Sequence, residues 1–483
     1  MNLVVIKTDQ QRFDTLGCMG HPIIQTPNLD RLAARGALFE NAFCCSPLCV
    51  PSRVGFFTGQ YVHRTNCTGF EPEHHISDWS FLNELKREGY VLGLSGKNHA
   101  FHDDYLAEHF SYREEYAHWG KSRGDIRDAD RDISRWMTTA GPGNRTPEGR
   151  LMEGLVGSPL PFAQEQCPTW RIAEDAIGFV SANKNQPFFL HCSFPEPHFP
   201  NTVCEPYYSM YSSDRVELEA TDINWSGHPF AHYVQSQSSG YDAYSDEERR
   251  EILSIYLGQI TLIDKAIGAL LDSIRHSGIE DCTIVVFASD HGDFGGRFGL
   301  VGKTKAFYEP LIRIPLIVAI PGRPDGQRIS ASVSNIDVMP TIADFLGLGS
   351  TDRVQGKSFL PLIDGNTQTH RDTIYAEVGT PEPPPPPMPI AEFPTYNSKR
   401  KARDGVFWFI EYTTRGRAAM IRKDNWKYCF YTGDTDELYN IADDPLELHN
   451  LADVSEHSAR KEQLRAALLE WTLSAPVTFG QAK

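Results

Sequence analysis

The most informative stretch of the chain is Cys44–Gly59, CCSPLCVPSRVGFFTG. Its third cysteine, Cys49, is followed at once by Val-Pro-Ser-Arg and a short apolar run. Because Pro51 suits the first turn of a helix, Cys49 is predicted to lie at a helix N-terminus, where backbone N–H groups and the helix dipole favour an anion. Arg53 would add a bidentate donor for a tetrahedral oxyanion. An inert cysteine is the alternative, since free cysteine is often buried.

The composition of the chain is that of a globular protein with more than one domain. Hydrophobic residues make up 40% and charged residues 23% of the 483 residues, and this length favours a large domain plus a smaller one. The formal net charge of -17 argues against a nucleic-acid partner, because phosphate binding needs a basic surface. An anionic small substrate stays compatible, since a pocket can be locally positive inside an acidic protein.

The sequence shows no pattern for export or for a membrane span. The opening MNLVVIKTDQQ lacks the basic segment and apolar core of a secretory signal, and no uninterrupted apolar run reaches the length that crosses a bilayer. The ten cysteines are scattered without zinc-site spacing, as is typical of reduced thiols in a cytoplasm. We therefore expect a cytoplasmic protein without a membrane partner.

Strand and helix patterns alternate along most of the chain. Buried strands are predicted at 3–6, 90–92 and 283–288, and helices at 26–36, about 81–88 and 253–274. This alternation predicts an α/β fold with a parallel sheet between helices, in which ligands bind at the carboxyl ends of the strands. Asp9-Gln10 and Asp290-His291 both follow such strands. We expect the two pairs to meet at one edge of the sheet.

The pattern of the sequence changes after about residue 365. A run of five prolines lies within 381–389 and predicts an extended arm over 381–400, long enough to reach a neighbouring subunit in a homo-oligomer. Strand patterns follow at 405–410, 418–421 and 426–430, and a last helix at about 459–473. The predicted organisation is a catalytic α/β domain over 1–365 and a smaller C-terminal domain over 366–483.

Read as Cys-x-Pro-Ser-Arg followed by Thr58-Gly59, the Cys49 segment resembles the signature of the type I sulfatases. Other segments resemble landmarks of that family in the same order, over nearly the whole chain. They are Gln25–Leu32, Gly96-Lys97-Asn98-His99, Phe194–His198, Ser289–Asp293, Gly299–Lys303 with Tyr308-Glu309, Ile336–Thr341, and Glu437–Asn440 with Asp444-Pro445. The order and spacing of the set make the resemblance specific.

This resemblance implies an alkaline phosphatase-like fold, with a large, mostly parallel sheet and a C-terminal α+β domain that carries a four-stranded antiparallel sheet. It implies hydrolysis of a small-molecule sulfate monoester, of the arylsulfatase type. Cys49 would be oxidised by a separate formylglycine-generating enzyme to Cα-formylglycine, whose hydrate is the nucleophile. The implied catalytic residues are Cys49, Arg53, Lys97, His99, His198 and Lys303. The implied ligands of one divalent metal are Asp9, Gln10, Cys49, Asp290 and His291.

The resemblance also implies a role for each catalytic side chain. Lys97, Lys303 and Arg53 would neutralise charge on the sulfuryl oxygens. His198, with Lys303, would assist the leaving group, and His99 would take the proton of the second hydroxyl. The residue types suit this chemistry, since a sulfate ester needs a cation, positive donors, a nucleophile and a proton donor.

Each residue also has a structural interpretation when it is taken singly. Asp9 could cap the end of its strand, His291 could orient Asp290, and the lysines and histidines could be surface residues. Two departures from the family pattern bear on the metal. Many members have a second aspartate where this chain has Gln10, and asparagine where it has His291. This pattern resembles the branch of choline sulfatases and phosphonate monoester hydrolases.

Oxygen ligands favour Ca²⁺, whereas an imidazole makes Mn²⁺ more plausible, so both ions stay open. Two alternative functions stay open as well. The same site could act on phosphonate monoesters or phosphodiesters, because these groups are also tetrahedral anions. The protein could instead be a non-catalytic binder in which Cys49 remains a thiol. The alcohol part of the substrate has no recognisable signal in the sequence.

Overall fold

The apolar run that opens the chain forms the centre of the main sheet. Leu3, Val4, Val5 and Ile6 are completely buried. Side chains alternate along a strand, and accordingly Leu3 and Val5 face one hydrophobic core while Val4 and Ile6 face another. A computed structural model describes residues 1–70, 74–118, 120–139, 159–219, 223, 225, 227–239, 244–349, 354–385 and 415–474. The sheet is therefore covered on both faces, as a continuous apolar strand predicts.

Strands and helices alternate through the described residues. The strands are β1 (Asn2–Asp9), β2 (Ala37–Phe39), β3 (Ala42–Phe43), β4 (Val91–Gly96), β5 (Tyr112–Ala117), β6 (Gly120–Arg123), β7 (Phe188–Pro197), β8 (Thr283–Ser289), β9 (Arg313–Ile314), β10 (Leu316–Ala319), β11 (Gln327–Ile329), β12 (Val333–Ser334), β13 (Thr373–Val378), β14 (Ala418–Lys423), β15 (Trp426–Tyr431) and β16 (Glu437–Asn440). The helices are α1 (Pro27–Ala34), α2 (Cys49–Thr58), α3 (Val62–Thr65), α4 (Phe81–Arg87), α5 (Asp103–His109), α6 (Asp128–Thr139), α7 (Pro168–Asn183), α8 (Phe230–Ser239), α9 (Asp246–His276), α10 (Glu309–Ile312), α11 (Val338–Leu346), α12 (Leu360–Ile363) and α13 (Ser458–Ser474).

The main sheet has nine strands in the order β11-β2-β10-β8-β1-β7-β4-β5-β6. The five central strands, from β8 to β5, all run parallel. Strands β10 and β6 pair antiparallel with their neighbours towards the two edges. A separate three-stranded sheet has the order β12-β3-β9. The predicted α/β class and mostly parallel sheet are confirmed.

Helices pack on both faces of the main sheet. On one face, α1, α7 and α9 bury Leu29, Ile172 and Ile263 in one core. On the other face, α2 and α4 bury Phe57 and Leu82 in the second core. Because α2 lies within this layer, its ten residues are all buried. The helix that carries Cys49 is therefore a core element.

Helix α9 is 31 residues long and begins with a capping box between Ser245 and Glu248. By length and composition it could cross a membrane, but 83% of its most apolar window is buried inside the protein. It packs against α7 and α1, so its apolar character is that of a core helix. The helix predicted at 253–274 is its central part.

Strands β13 to β16 form a four-stranded antiparallel sheet. One face of this sheet shares the main core through Ile374 and Met420, and the other face packs on α13 through Leu438 and Leu464. Four antiparallel strands were expected, and the patterns at 418–421 and 426–430 are confirmed as β14 and β15. The outer strands β13 and β16 were not predicted. The strand predicted at 405–410 and residues 386–400 of the arm lie outside the described residues.

Buried ion pairs and hydrogen bonds join this small sheet to the α10 segment. Lys427 on β15 is completely buried, and its Nζ lies 2.7 Å from Glu309 Oε1 and 2.7 Å from Glu447 Oε1. On β16, Glu437 Oε1 accepts a hydrogen bond of 2.8 Å from the Tyr308 hydroxyl. A buried charge is stable only with such partners. The small sheet and α10 therefore depend on each other.

Candidate active site

Four adjacent parallel strands, β8, β1, β7 and β4, end at one edge of the main sheet. The polar residues at these ends are Asp290 and His291 after β8, Asp9 and Gln10 at β1, His198 after β7, and Lys97 after β4. The expected meeting of β1 and β8 is confirmed, because the backbone N–H of Gln10 donates to Asp290 Oδ1 at 3.0 Å.

Helix α2 begins at Cys49, as the sequence predicts, and its first turn contacts this edge. The Ser52 hydroxyl donates to the backbone oxygen of Asp290 at 2.5 Å, which ties the helix to the end of β8. The Cys49 Sγ lies 3.3 Å from His291 Nε2 and 3.7 Å from Asp9 Oδ1. The cysteine therefore lies between the ends of two neighbouring strands.

Asp9, Cys49, Asp290 and His291 form a buried cluster of candidate metal ligands. Each offers one ligand atom, and these atoms all lie within 4.8 Å of one another. Since two ligands on opposite sides of one ion are about 4–5 Å apart, the cluster fits a single cation. The His291 Nδ1 donates to the Gly292 carbonyl at 2.8 Å, so its Nε2 lone pair is left for the cluster.

Gln10, the remaining predicted ligand, has both ends of its amide engaged. Its Nε2 donates to Asp293 Oδ2 at 2.5 Å, and its Oε1 accepts from Lys303 Nζ at 2.8 Å. Its backbone is in the left-handed region, with a φ of 68°. These two bonds fix the amide orientation. A cation bound to Oε1 would share that oxygen with Lys303.

Three cationic side chains contact the two carboxylates of the cluster. Arg53 Nε donates to Asp290 Oδ2 at 2.8 Å, and its Nη2 donates to Asp9 Oδ2 at 3.4 Å. Lys97 forms an ion pair with Asp9. Lys303 Nζ lies 3.9 Å from Asp9 Oδ1. The site is therefore locally positive, although the whole chain is acidic.

The guanidinium of Arg53 has partners within the protein. Its Nη1 donates to the Ser193 hydroxyl at 2.8 Å, so each guanidinium nitrogen has a partner in the protein. The side chain is completely buried. Three of the five N–H groups of Arg53 therefore bind Asp9, Asp290 and Ser193, and one further N–H remains on each of Nη1 and Nη2.

The charges at this site alter the pKa values of its acidic groups. Burial alone would raise the pKa of Asp9, but the ammonium groups of Lys97 and Lys303 outweigh it and hold this pKa well below its usual range. For the Cys49 thiol, burial and the Asp9 carboxylate raise the pKa, yet the two lysines and His291 lower it overall. Ionised carboxylates and thiolates are the forms that bind metal ions.

Two predicted histidines lie beside the cationic side chains. The His198 Nδ1 donates to the Phe199 carbonyl at 2.6 Å, so its Nε2 carries no proton while the ring is neutral. Burial, reinforced by the nearby His118 ring and the Lys303 charge, holds the pKa of His198 well below its usual range. Burial and the charge of Lys97 lower the pKa of His99 in the same direction.

A family model described as Sulfatase matches residues 1–348, a span that contains every predicted site residue. The chain belongs to the sulfatase family. Family membership makes it a sulfuric ester hydrolase, and it implies a bound metal ion and a modified cysteine. This sulfatase has a cluster that could hold such an ion, and Cys49 is part of it.

Known relatives span nearly the whole sulfatase chain. The arylsulfatase of Clostridium perfringens is 28% identical, over 97% of this chain and 94% of its own. The choline-sulfatase of Rhizobium meliloti is 27% identical, over 94% and 82% of the two chains. The phosphonate monoester hydrolase of Agrobacterium radiobacter has a similar structure, with a TM-score of 0.76 at 23% identity over 97% and 95% of the chains. The predicted branch and the alkaline phosphatase-like fold are confirmed.

Sequence reasoning missed three residues of the sulfatase site. Ser193 on β7 accepts the bond from Arg53, and Asp293 accepts the bond from Gln10. His118 follows β5, and its Nε2 lies 2.8 Å from Lys97 Nζ. A polar residue at a strand end was the available signal for His118. It was overlooked because β5 reads YREEYA, which lacks the apolar run of the other central strands.

Proposed function

We propose that this sulfatase hydrolyses a sulfate monoester through residue 49, after a formylglycine-generating enzyme has oxidised Cys49 to Cα-formylglycine. The position of Cys49 carries the proposal, since its Sγ lies 3.3 Å from His291 Nε2 at the start of a buried helix. The Sγ marks where the hydroxyl oxygens of the hydrated aldehyde would lie. An oxygen nucleophile there has candidate metal ligands and cationic side chains around it.

One divalent cation, Ca²⁺ or Mn²⁺, would be held by Asp9, Asp290 and His291, with Gln10 beside them. The carboxylates suit both ions, whereas the imidazole favours Mn²⁺. Such a cation supplies positive charge that lowers the pKa of a hydroxyl and polarises a sulfuryl oxygen. Arg53 is assigned as a positioning residue, because its bonds orient the carboxylates of Asp9 and Asp290.

Lys97 and Lys303 are assigned to the sulfuryl oxygens. They approach opposite oxygens of the same carboxylate, Asp9 Oδ2 and Asp9 Oδ1. An ammonium group has three hydrogens to donate, so each lysine can contact Asp9 and still donate to an ester oxygen. Cationic donors that are placed before the reaction stabilise the charge that develops in the transition state.

The two histidines are assigned to separate proton transfers. His198 Nε2 can take up a proton when an anionic ester offsets the effect of burial, and can then pass it to the leaving oxygen, with Lys303 as a second donor. His99 is held neutral beside Lys97. It is therefore suited to accept the proton of the second hydroxyl of residue 49 once the alcohol has left.

A substrate panel tests the proposed function. We expect protein coexpressed with a formylglycine-generating enzyme to hydrolyse 4-nitrophenyl sulfate. We also expect it to hydrolyse either choline sulfate or a sugar sulfate, and the one that it hydrolyses identifies the class of the alcohol. The similar structure of a phosphonate monoester hydrolase makes a phenyl phosphonate monoester the competing substrate. A higher kcat/KM for the phosphonate than for every sulfate would favour that second function and contradict ours.

The proton-transfer roles predict different defects in two variants. In His198→Ala, the loss of kcat should be greatest for alkyl sulfates, at about 10²–10⁴-fold, and smallest for aryl sulfates, whose phenolate leaves without a proton. In His99→Ala, we expect a burst of about one equivalent of phenol and then a stall, because the step after alcohol release is blocked. Stopped-flow absorbance measures both, and mass spectrometry of the quenched protein detects retained sulfate. A burst in His198→Ala alone would reverse the assignments.

A further inference from the structure

His118 lies between two residues that the proposed reaction uses. It follows β5, the outermost of the five parallel strands, and so lies at the same sheet edge as the end of β4. Its Nε2 lies 2.8 Å from the Nζ of Lys97. Its ring stacks on that of His198, with centroids 4.0 Å apart and planes inclined by 26°. His118 therefore contacts both Lys97, the proposed donor to a sulfuryl oxygen, and His198, the proposed proton donor to the leaving group.

The partner on Nε2 determines the protonation state of His118. The Lys97 ammonium, which is paired with Asp9, has hydrogens to donate and no lone pair to accept with. His118 Nε2 must therefore accept, and the neutral ring carries its hydrogen on Nδ1. Burial, reinforced by the charge of Lys97, lowers the pKa of His118 to about 3, in agreement with a neutral ring.

The hydrogen bonds of His118 point to the active site rather than to the fold. Its Nδ1 is buried and has no hydrogen-bond partner among the described parts of the chain. The bond to Lys97 is thus the one polar contact of the ring that the described residues show. A buried histidine with a purely structural role normally has both ring nitrogens satisfied.

We propose that His118 is a positioning residue of the sulfatase reaction, which orients Lys97 through its Nε2 and His198 through its ring face. The inference rests on the proposed function. Two hydrogens of the Lys97 ammonium are directed by Asp9 and His118, so the third has a single direction in which to meet a sulfuryl oxygen. His198 is held at its Nδ1 by the Phe199 carbonyl, and the stacked ring fixes the plane in which its Nε2 meets the leaving oxygen.

Two substitutions separate the two contacts. His118→Phe keeps a flat ring against His198 and removes the acceptor for Lys97. Since hydrogen bonds to charged groups are the stronger ones, kcat/KM should fall about 10- to 100-fold, by the same factor for aryl and alkyl sulfates. His118→Gln keeps an acceptor for Lys97 and removes the ring. Its loss should be at least about tenfold greater for alkyl than for aryl sulfates, because proton delivery matters most for poor leaving groups.

His109 provides a matched control. Its ring stacks on Tyr105 with centroids 4.0 Å apart, and its Nδ1 donates to the Tyr105 carbonyl at 3.0 Å. His109→Phe thus also exchanges a stacked histidine for a flat ring, but outside the site, and its dependence on the leaving group should match that of the unchanged protein. If the two His118 variants lose activity equally on all esters, or lose none, His118 is a packing residue and the inference is wrong.

A measurement without turnover separates this inference from the proposed function. In the thiol form of the protein, the ¹⁵N shifts of His118 should show an unprotonated Nε2 and a protonated Nδ1. The ¹⁵N shift of His118 Nε2 should change in Lys97→Met and should be unchanged in His109→Phe. A hydrogen on Nε2 would overturn the inference even if the sulfates are hydrolysed. If no sulfate is hydrolysed but His118 shows the expected tautomer, only the proposed function is overturned.

Discussion

Replacing Cys49 with alanine is expected to remove nearly all turnover, by about 10⁶-fold as for the loss of other enzymatic nucleophiles, while the protein still folds. Alanine has the highest helix propensity, so α2 can still begin at this position. Within the described residues, the polar contacts of the thiol are all with groups of the site, namely His291 Nε2, Asp9 Oδ1 and the ammonium of Lys303. The substitution therefore removes the group that would become the nucleophile, without breaking a contact of the hydrophobic core.

Cys45 is the matched control, because it is buried in the same segment but serves the core. Burial raises the pKa of its thiol to about 12, whereas the pKa of Cys49 is lowered. Cys45→Ala should lose some stability and keep its kcat per folded molecule. Across preparations of the unchanged protein, kcat should follow the fraction of residue 49 that reacts with a hydrazide probe. Full turnover by protein that carries only the thiol would show the formylglycine mechanism to be wrong.

Asp290→Asn is expected to reduce kcat/KM by about 10³–10⁴-fold and to release the bound cation. The change keeps the shape of the side chain and removes the charge that a divalent ion and Arg53 both require, and a metal ion contributes several kcal/mol to such a transition state. Asp290 also accepts backbone N–H groups of Gln10 and His291, at 3.0 and 2.9 Å. The amide leaves the buried Arg53 charge with Asp9 as its one remaining carboxylate partner among the described residues, at 3.4 Å from Nη2.

Metal content and kinetics measured on the same sample test this expectation. Asp272→Asn is a suitable control, because Asp272 is 46% exposed and pairs with Arg275 on the surface of α9. It should retain metal and activity. Chelation of the unchanged protein should abolish turnover, and added Ca²⁺ or Mn²⁺ should restore it. An undiminished rate in protein shown to be free of metal would exclude a role for the cluster in catalysis.

The central sheet and the position of the site could be predicted from the sequence because strands β1 and β8 are buried along their whole length. Strand β1 has an apolar run from Leu3 to Ile6, and the strand that precedes Asp290 has one from Ile284 to Ala288. Each is followed by a polar pair. That contrast locates the carboxyl ends of the central strands, and parallel order then brings the pairs together.

Other parts of the fold lack this contrast between an apolar run and a polar pair. Strand β5 carries charged side chains at Arg113 and Glu115, which pair with each other in the structure, so neither the strand nor His118 was recognised. The outer strands of the small sheet are short or partly exposed, and no apolar run marks them. The role of Arg53 depends on Ser193, a residue 140 positions away in the sequence. The boundary near residue 365 and the roles of the site residues stay predictions.

The buried ion pairs between Lys427, Glu309 and Glu447 limit how this chain can evolve. A recombination event that joined residues 1–365 of this chain to the C-terminal domain of a relative would separate Glu309 from Lys427. The hybrid would then bury a carboxylate without its cation, unless the incoming segment carried a lysine at the same place. We therefore expect the sheet of β13 to β16 to be exchangeable between relatives only together with the α10 segment that supplies Glu309.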